Sequence, residues 1–372
     1  TEWSEFGERI SASMREYCHR IDPTRPMAMA TAGGPTVVVP VDVAGYNYVL
    51  QNPIDRHRRD YPDRKAVGTE ETTGCGARSV YYDDHARGYM KAINRSPSGP
   101  DSIYNAIERG WKFYSERPWL GGLFYWTGFD YRGEPNPMSF PATGSQFGVL
   151  DYCGFPKDEA FYLKSWWTDE PVLHIFPHWN LQGHEGETVS VWAYSNMDEV
   201  ELIVNGKKLG RKTMPENGHL SWDAVYQPGY VKAVGYKNGK KAMETRIETT
   251  GAPARFALEA DRATINADGK DVAVISVKVL DKKGRFVPDA NVALDIEADG
   301  AVRILGAGNG DPAFQAAERP ADGPAKTFAI KTFNGLAQIL LQSDTTEGIG
   351  NLKVSAPGLP AQSIAIRTAT SK

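Results

Sequence analysis

Cysteine is scarce: the 372 residues hold three, Cys18, Cys75 and Cys153, far apart. None forms a C-x-x-C pair, which excludes a zinc ribbon and a thioredoxin-type site. An odd number cannot pair fully within one chain, so no disulfide framework holds the fold. No stretch approaches the roughly 18 consecutive apolar residues of a membrane-spanning helix. Basic residues show no surplus. Lys and Arg number 42 against 46 Asp and Glu, a net charge of −4. With no basic run either, the footprint of a nucleic-acid binder is missing. The opening Thr1-Glu2-Trp3-Ser4-Glu5 has no initiator Met, no basic segment and no apolar segment, so no signal peptide is visible. We expect the chain to begin partway through a longer gene product.

What is present is an ordinary globular mixture. Hydrophobic residues are 41% and charged residues 24%, enough to bury a sizeable core. The length predicts two or three domains. Aromatics reach 11%, which suits flat ligands with apolar faces such as sugars, although aromatic rings also fill cores.

Three zones follow in order. In residues 1–168, Trp3, Phe6, Ile10, Met14 and Tyr17 fall on one face of a helix. The helix stops at Asp22-Pro23-Thr24-Arg25-Pro26. Short buried strands are expected at Met27-Ala28-Met29-Ala30-Thr31, at residues 41–48, at Lys65-Ala66-Val67-Gly68-Thr69-Glu70 and at residues 121–126. Helices are expected from about Asp101, with Ile103, Ile107, Trp111 and Tyr114 on one face, and over residues 157–167. Strands alternating with helices predict a parallel α/β sheet. About four such units do not close an eight-stranded barrel. The zone is either half of a barrel or a small open sheet.

Residues 169–250 show no convincing helix. Asn205-Gly206 and Asn238-Gly239 sit between strand runs and signal hairpins, because both turn positions need positive φ. Residues 251–372 continue in the same rhythm, with Ala273, Ile275, Val277 and Val279 alternating before a turn at Asp281-Lys282-Lys283-Gly284. Residues 307–326 read as a long loop. Both zones predict β-sandwiches of immunoglobulin type.

Chemical handles cluster at the ends of the expected strands: Asn47 and Tyr48, Glu70, Trp126 and Asp130. Functional groups gather at such strand ends in α/β barrels. Glu70 is the sharpest candidate, a carboxylate placed to act as nucleophile or base. Glu71 should face the other way, since neighbours alternate along a strand. The plain alternative makes both acids surface residues. A Tyr48 hydroxyl beside Glu70 could orient the carboxylate by a hydrogen bond, or be an ordinary buried tyrosine. Trp126 could floor a sugar site, or fill a core. Other motifs carry less. Gly306-Ala307-Gly308-Asn309-Gly310 has the glycines of a phosphate loop but no following helix. His174 and His178 flank Pro177 in an extended segment. Asn266-Ala267-Asp268-Gly269-Lys270-Asp271 lacks the closing Glu of a calcium loop and reads as a turn. We expect no metal and no cofactor.

Several motifs then match a known family in order: Asp22-Pro23-Thr24-Arg25-Pro26, Gly45-Tyr46-Asn47-Tyr48, Gly68-Thr69-Glu70 and Phe124-Tyr125-Trp126-Thr127-Gly128-Phe129-Asp130-Tyr131-Arg132-Gly133. Gln146-Phe147-Gly148, Asp151-Tyr152-Cys153-Gly154-Phe155-Pro156 and Phe176-Pro177-His178-Trp179-Asn180 extend the match. The chain resembles glycoside hydrolase family 2, in particular its bacterial β-galactosidases. The resemblance implies the C-terminal half of a (β/α)8 TIM barrel followed by two immunoglobulin-like β-sandwich domains. It implies retaining hydrolysis of β-galactosides by two glutamates. Glu70 takes the nucleophile position, with Glu71 the runner-up if the register slips. Tyr48 orients the nucleophile, Asn47, Trp126 and Asp130 contact the substrate, and the Trp126–Thr127 bond is cis.

The chain departs from the family in having no Asn-Glu acid/base motif. The resemblance therefore places its start just past that residue. The two carboxylates of a retaining enzyme lie about 5–5.5 Å apart, and only one is here. The fragment alone is expected to be inactive, with the missing N-terminal half as its partner, a β-galactoside oligo- or polysaccharide as the substrate of the whole, and an oligomer compatible. β-Glucuronidase and β-mannosidase share the fold. A non-catalytic carbohydrate-binding or structural module is the alternative of another class, with Trp179 and Trp192 as stacking platforms. Family habit implies an extracytoplasmic location, periplasmic or secreted.

Overall fold

The computed structural model describes residues 4–33, 36–71, 76–91 and 107–370. Trp3, Cys75 and the helix start from Asp101 through Ile103 lie outside the described residues. The first unit opens with α1 (Glu5–Ile21), capped by Ser4, whose side chain accepts the Gly7 N–H. Strands β1 (Ala28–Thr31), β2 (Val43–Asn47), β3 (Lys65–Glu71) and β4 (Leu120–Tyr125) follow. They form one parallel sheet in the order β1-β2-β3-β4. Helices α2 (Ile54–Asp60), α3 (Ile107–Ser115) and α4 (Asp158–Trp167) complete the unit. Val38, Ala44, Val49, Ile54, Ala66 and Tyr114 form its core. The expected parallel α/β sheet is thus observed. The α2 helix has no counterpart in the sequence reading.

One expectation is inverted in its consequence. The apolar stripe of α1 exists, but Phe6, Ile10, Met14 and Tyr17 are exposed, and Ile21 with them. The buried residues of α1 are small ones, Gly7 and Ser11. Asp42 ties the helix to the sheet through Arg15 at 2.6 Å and His19 at 2.7 Å.

The second unit pairs a three-stranded sheet of β5 (Leu173–Phe176), β6 (Thr188–Ser195) and β9 (Leu220–Val225) with a four-stranded one. The latter holds β7 (Glu199–Val204), β8 (Lys207–Thr213), β10 (Tyr230–Lys237) and β11 (Lys240–Glu248). Inward residues of both sheets, among them Val191, Leu202, Trp222 and Val231, make one core. Both Asn-Gly turns occur with positive φ at Asn205 and Asn238, where the hairpins close.

The third unit is a larger two-sheet stack of strands β12 (Pro253–Ala260) to β20 (Leu359–Ala369). Ile275, Val277, Leu294, Ile339 and Val354 are among its core residues. The 266–271 segment is a turn, with Asp268 accepting the N–H groups of Lys270 and Asp271. Trp179 is no stacking platform. It is fully buried, meets Tyr226 edge-on, and donates its indole N–H to the Gln227 carbonyl. Trp192 stacks on His219 with centroids 3.8 Å apart.

A buried ion pair within the first unit docks the third. Arg78 Nε lies 2.7 Å from Asp151 Oδ2, and both side chains are almost without solvent contact. The rest of the guanidinium donates to the carbonyls of Asn334, Asn309 and Phe333. Removing one member of such a pair strands the other charge, at a cost of about 3–5 kcal/mol. Asp151→Asn should therefore lower the urea midpoint of the chain by an amount equivalent to about 3–5 kcal/mol. A midpoint equal to that of the wild type would show that the buried pair does not stabilise the chain.

Candidate active site

β3 ends in two adjacent carboxylates, and strand alternation separates them. Glu71 is 1% exposed. Its Oε1 accepts the Val49 N–H at 2.7 Å, where the chain leaves β2. Gly68 makes room for this, because a Cβ there would stand 2.6 Å from Glu71 Cγ. Glu70 is half-buried and meets the end of β2 instead. Tyr48 Oη donates to Glu70 Oε1 at 2.6 Å, and Asn47 Nδ2 donates to Oε2 at 3.3 Å.

Each donor is itself held. Thr69 donates its hydroxyl to Asn47 Oδ1 at 2.9 Å, which turns the amide nitrogen toward Glu70. Tyr48 has φ 58°, the left-handed region, uncommon for a bulky side chain and frequent at functional sites. Asn52 Nδ2 donates to the carbonyls of Asn47 and Tyr48 at 2.8 and 3.1 Å and pins that turn. The Tyr48 N–H donates in turn to the Glu70 carbonyl at 2.6 Å. The carboxylate is thus gripped at both oxygens by neutral donors.

Trp126 follows β4, its N–H on the Glu71 carbonyl at 2.8 Å. It packs with Met90, Phe147 and Tyr131, and the Trp126–Thr127 peptide is cis. Tyr131, not singled out from the sequence, crosses Trp126 edge-on at 5.8 Å and donates its hydroxyl to Glu134 at 2.7 Å. Burial and then Glu134 push Tyr131 up to about 12, with Glu70 close enough to add repulsion.

Asp130 differs from the expected sugar contact. Its side chain is buried, with Lys157 Nζ 2.8 Å from both oxygens and the Gly148 N–H donating to Oδ1. Burial pushes it up to about 6 despite Lys157. Its carboxylate is used inside the protein, where it fixes the loop carrying Phe147 and Gly148. His174 is likewise engaged, 2.7 Å from Asp158. Among the described residues no group of three His, Cys, Asp or Glu side chains could hold a metal ion. Cys18 is exposed and Cys153 buried, both free.

A strand-end carboxylate steered by a phenol and an amide is the kind of group on which glycosidic-bond chemistry is built. Residues 256–365 match the model of glycoside hydrolase family 2 C-terminal domain 5, and residues 186–243 match a domain of unknown function. Beta-galactosidase BoGH2A of Bacteroides ovatus is 35% identical over 370 residues, covering 94% of this chain and 42% of that protein. A beta-glucuronidase of Formosa agariphila is 30% identical over 227 residues, 59% of this chain and 22% of that one. The crystal structure of a beta-glycosidase from Bacteroides vulgatus superposes with a TM-score of 0.82 at 28% identity, over 96% of this chain and 49% of that one. The chain belongs to glycoside hydrolase family 2. It spans less than half the length of these relatives.

Glu159, in the first turn of α4, gives the region a pH signature. Burial, then repulsion from Asp158, pushes it from 4.5 up to about 7. Between those values the folded chain keeps a proton that the unfolded chain releases, so this residue makes stability fall as pH rises. Glu159→Gln should gain on the wild type by on the order of 1–3 kcal/mol between pH 4.5 and 7.5. Urea midpoints at the two pH values read the effect, and parallel profiles for both proteins would refute it.

Proposed function

We propose that this chain is the C-terminal portion of a retaining β-galactosidase, with Glu70 as its nucleophile. The observation that carries the reading is the grip of Tyr48 and Asn47 on the two oxygens of Glu70, while Glu71 is buried on a backbone N–H. Glu70 attacks the anomeric carbon and forms a covalent glycosyl-enzyme, which water then hydrolyses. Tyr48 holds the attacking oxygen in line, Asn47 contacts the sugar as well as the carboxylate, and Trp126 floors the subsite. Asp130 positions the neighbouring loop. The acid/base carboxylate comes from the other half of the enzyme, about 5–5.5 Å from Glu70.

The α/β unit supports a half-barrel. Its edge strands β1 and β4 each have one neighbour in the sheet, and α1 presents an exposed apolar stripe. Further βα units on both edges would close the barrel and cover that stripe. Units of residues 1–168, 169–250 and 251–372 then correspond to half-barrel, first accessory sandwich and second accessory sandwich. Glu70, Tyr48, Asn47 and Trp126 carry no cation, which favours a neutral galactoside over a glucuronide. The whole enzyme would meet its polysaccharide substrate outside the cytoplasm.

The test uses the enzyme with its N-terminal half restored. Glu70→Gln should abolish hydrolysis of nitrophenyl β-galactoside, and Tyr48→Phe should lower kcat by about 100-fold, the scale of a misplaced reacting group. Turnover that survives Glu70→Gln would sink the assignment. Faster hydrolysis of nitrophenyl β-glucuronide would replace the sugar but keep the mechanism.

A further inference from the structure

A cavity of about 460 Å³ opens where the three units meet, and none of the four residues of the proposed active site lines it. Its walls come from residues 79–89 after β3, residues 178–184 at the entrance to the second unit, and residues 289–334 of the third. At its mouth Tyr82 lies flat on His184, the rings 4.5 Å apart and 1° from parallel. His184 is fixed by Glu187, 2.8 Å from its Nδ1. Tyr82 remains 46% exposed, so the pair forms an accessible aromatic platform.

Behind the platform the lining is rich in hydrogen-bonding groups. Asp311 accepts the Tyr89 hydroxyl at 3.2 Å and the Ala313 N–H at 2.8 Å. Asp289 accepts from Asn180 at 2.9 Å. A carboxylate has about four acceptor positions, so both keep capacity for a ligand. The charge balance is negative: four aspartates line the cavity against Arg87 and Lys331. Arg87 is already paired with Asp84 at 2.6 Å and Asp83 with Lys91 at 3.1 Å, which leaves Asp289 and Asp311 against Lys331. An anionic ligand would meet net repulsion, and no metal-holding group of side chains exists among the described residues. A neutral ligand with one apolar face and many hydroxyls fits all of these features.

We propose that this junction cavity is a binding site for a neutral oligosaccharide. One sugar ring stacks on Tyr82, and the hydroxyls of the next donate to Asp289 and Asp311. The choice of a sugar among neutral polyols rests on the glycosidase reading above. The site would hold substrate chains to the enzyme by a surface that all three units build together.

The test is calorimetric titration of the 372-residue chain with a neutral galacto-oligosaccharide, and with an oligogalacturonate as the anionic probe. The neutral probe should bind and the anionic one should not. Tyr82→Ala should weaken binding by about ten-fold or more, as loss of an aromatic anchor does. Tyr82→Phe, which keeps the ring, should retain it, and Glu70→Gln should leave it unchanged. Absence of binding, equal binding of both probes, or wild-type affinity in Tyr82→Ala would overturn the proposal. So would loss of binding in Glu70→Gln, which would place the sugar at the β3 carboxylate. Failure of the nucleophile assignment would show separately, as turnover by the Glu70→Gln form of the restored enzyme.

Discussion

The Arg78–Asp151 pair is the constraint around which the units are arranged. Buried charges are tolerated only when paired and hydrogen-bonded. Arg78 comes from the loop after β3 and Asp151 from the loop before α4, yet three carbonyls of the third unit are needed to satisfy the guanidinium. Asp151 in turn accepts the N–H groups of Cys153 and Phe155. Gly310 comes so near that a Cβ there would overlap the Asp151 carboxylate. Neither unit could reposition without leaving buried guanidinium N–H groups unsatisfied. Asn309 reinforces the joint, since its side chain binds Tyr152, Asp311 and the Lys331 carbonyl.

The geometry at the end of β3 follows from a second buried acid. Glu71 grips the Val49 N–H, which anchors the chain just after Tyr48. That anchor, together with Asn52, holds Tyr48 in the left-handed conformation from which its hydroxyl reaches Glu70. The two glutamates thus act in series: one shapes the turn, and the turn aims the other's partner. Exchanging their roles would require a one-residue slip of β3, which would place Glu70 in the core.

Much of this was legible in the sequence because it rests on local patterns. The four parallel strands, the Asn-Gly hairpins and the alternation that separates Glu70 from Glu71 depend only on neighbours a few residues apart. What was not legible depends on distant partners. Arg78 sits in a polar loop and finds acceptors more than 200 residues away. Asp130 looks like a strand-end ligand until Lys157 occupies it. Periodicity identified the apolar stripe of α1 but could not say whether anything covers it. Trp179 has the composition of a stacking platform and the position of a core residue. The α2 helix is seven residues long and rich in Arg, so it offered no apolar period to read.

The units also differ in self-sufficiency, and that difference explains where the junction must carry force. Each β-sandwich closes its own core between two sheets. The α/β unit does not: its sheet is open at both edges, and the apolar stripe of α1 faces solvent. An open parallel sheet exposes backbone groups that pair with any available strand, and parallel sheets are ordinarily covered on both faces. The described attachments of the α/β unit include the Arg78 joint and the Arg132–Glu318 pair at 2.9 Å on the third unit. On the second unit they include Glu108 with His219 and the Tyr162 hydroxyl on the Asn217 carbonyl. These joints fall on loops and helices that follow β3. The β1 edge and α1 take no part in them.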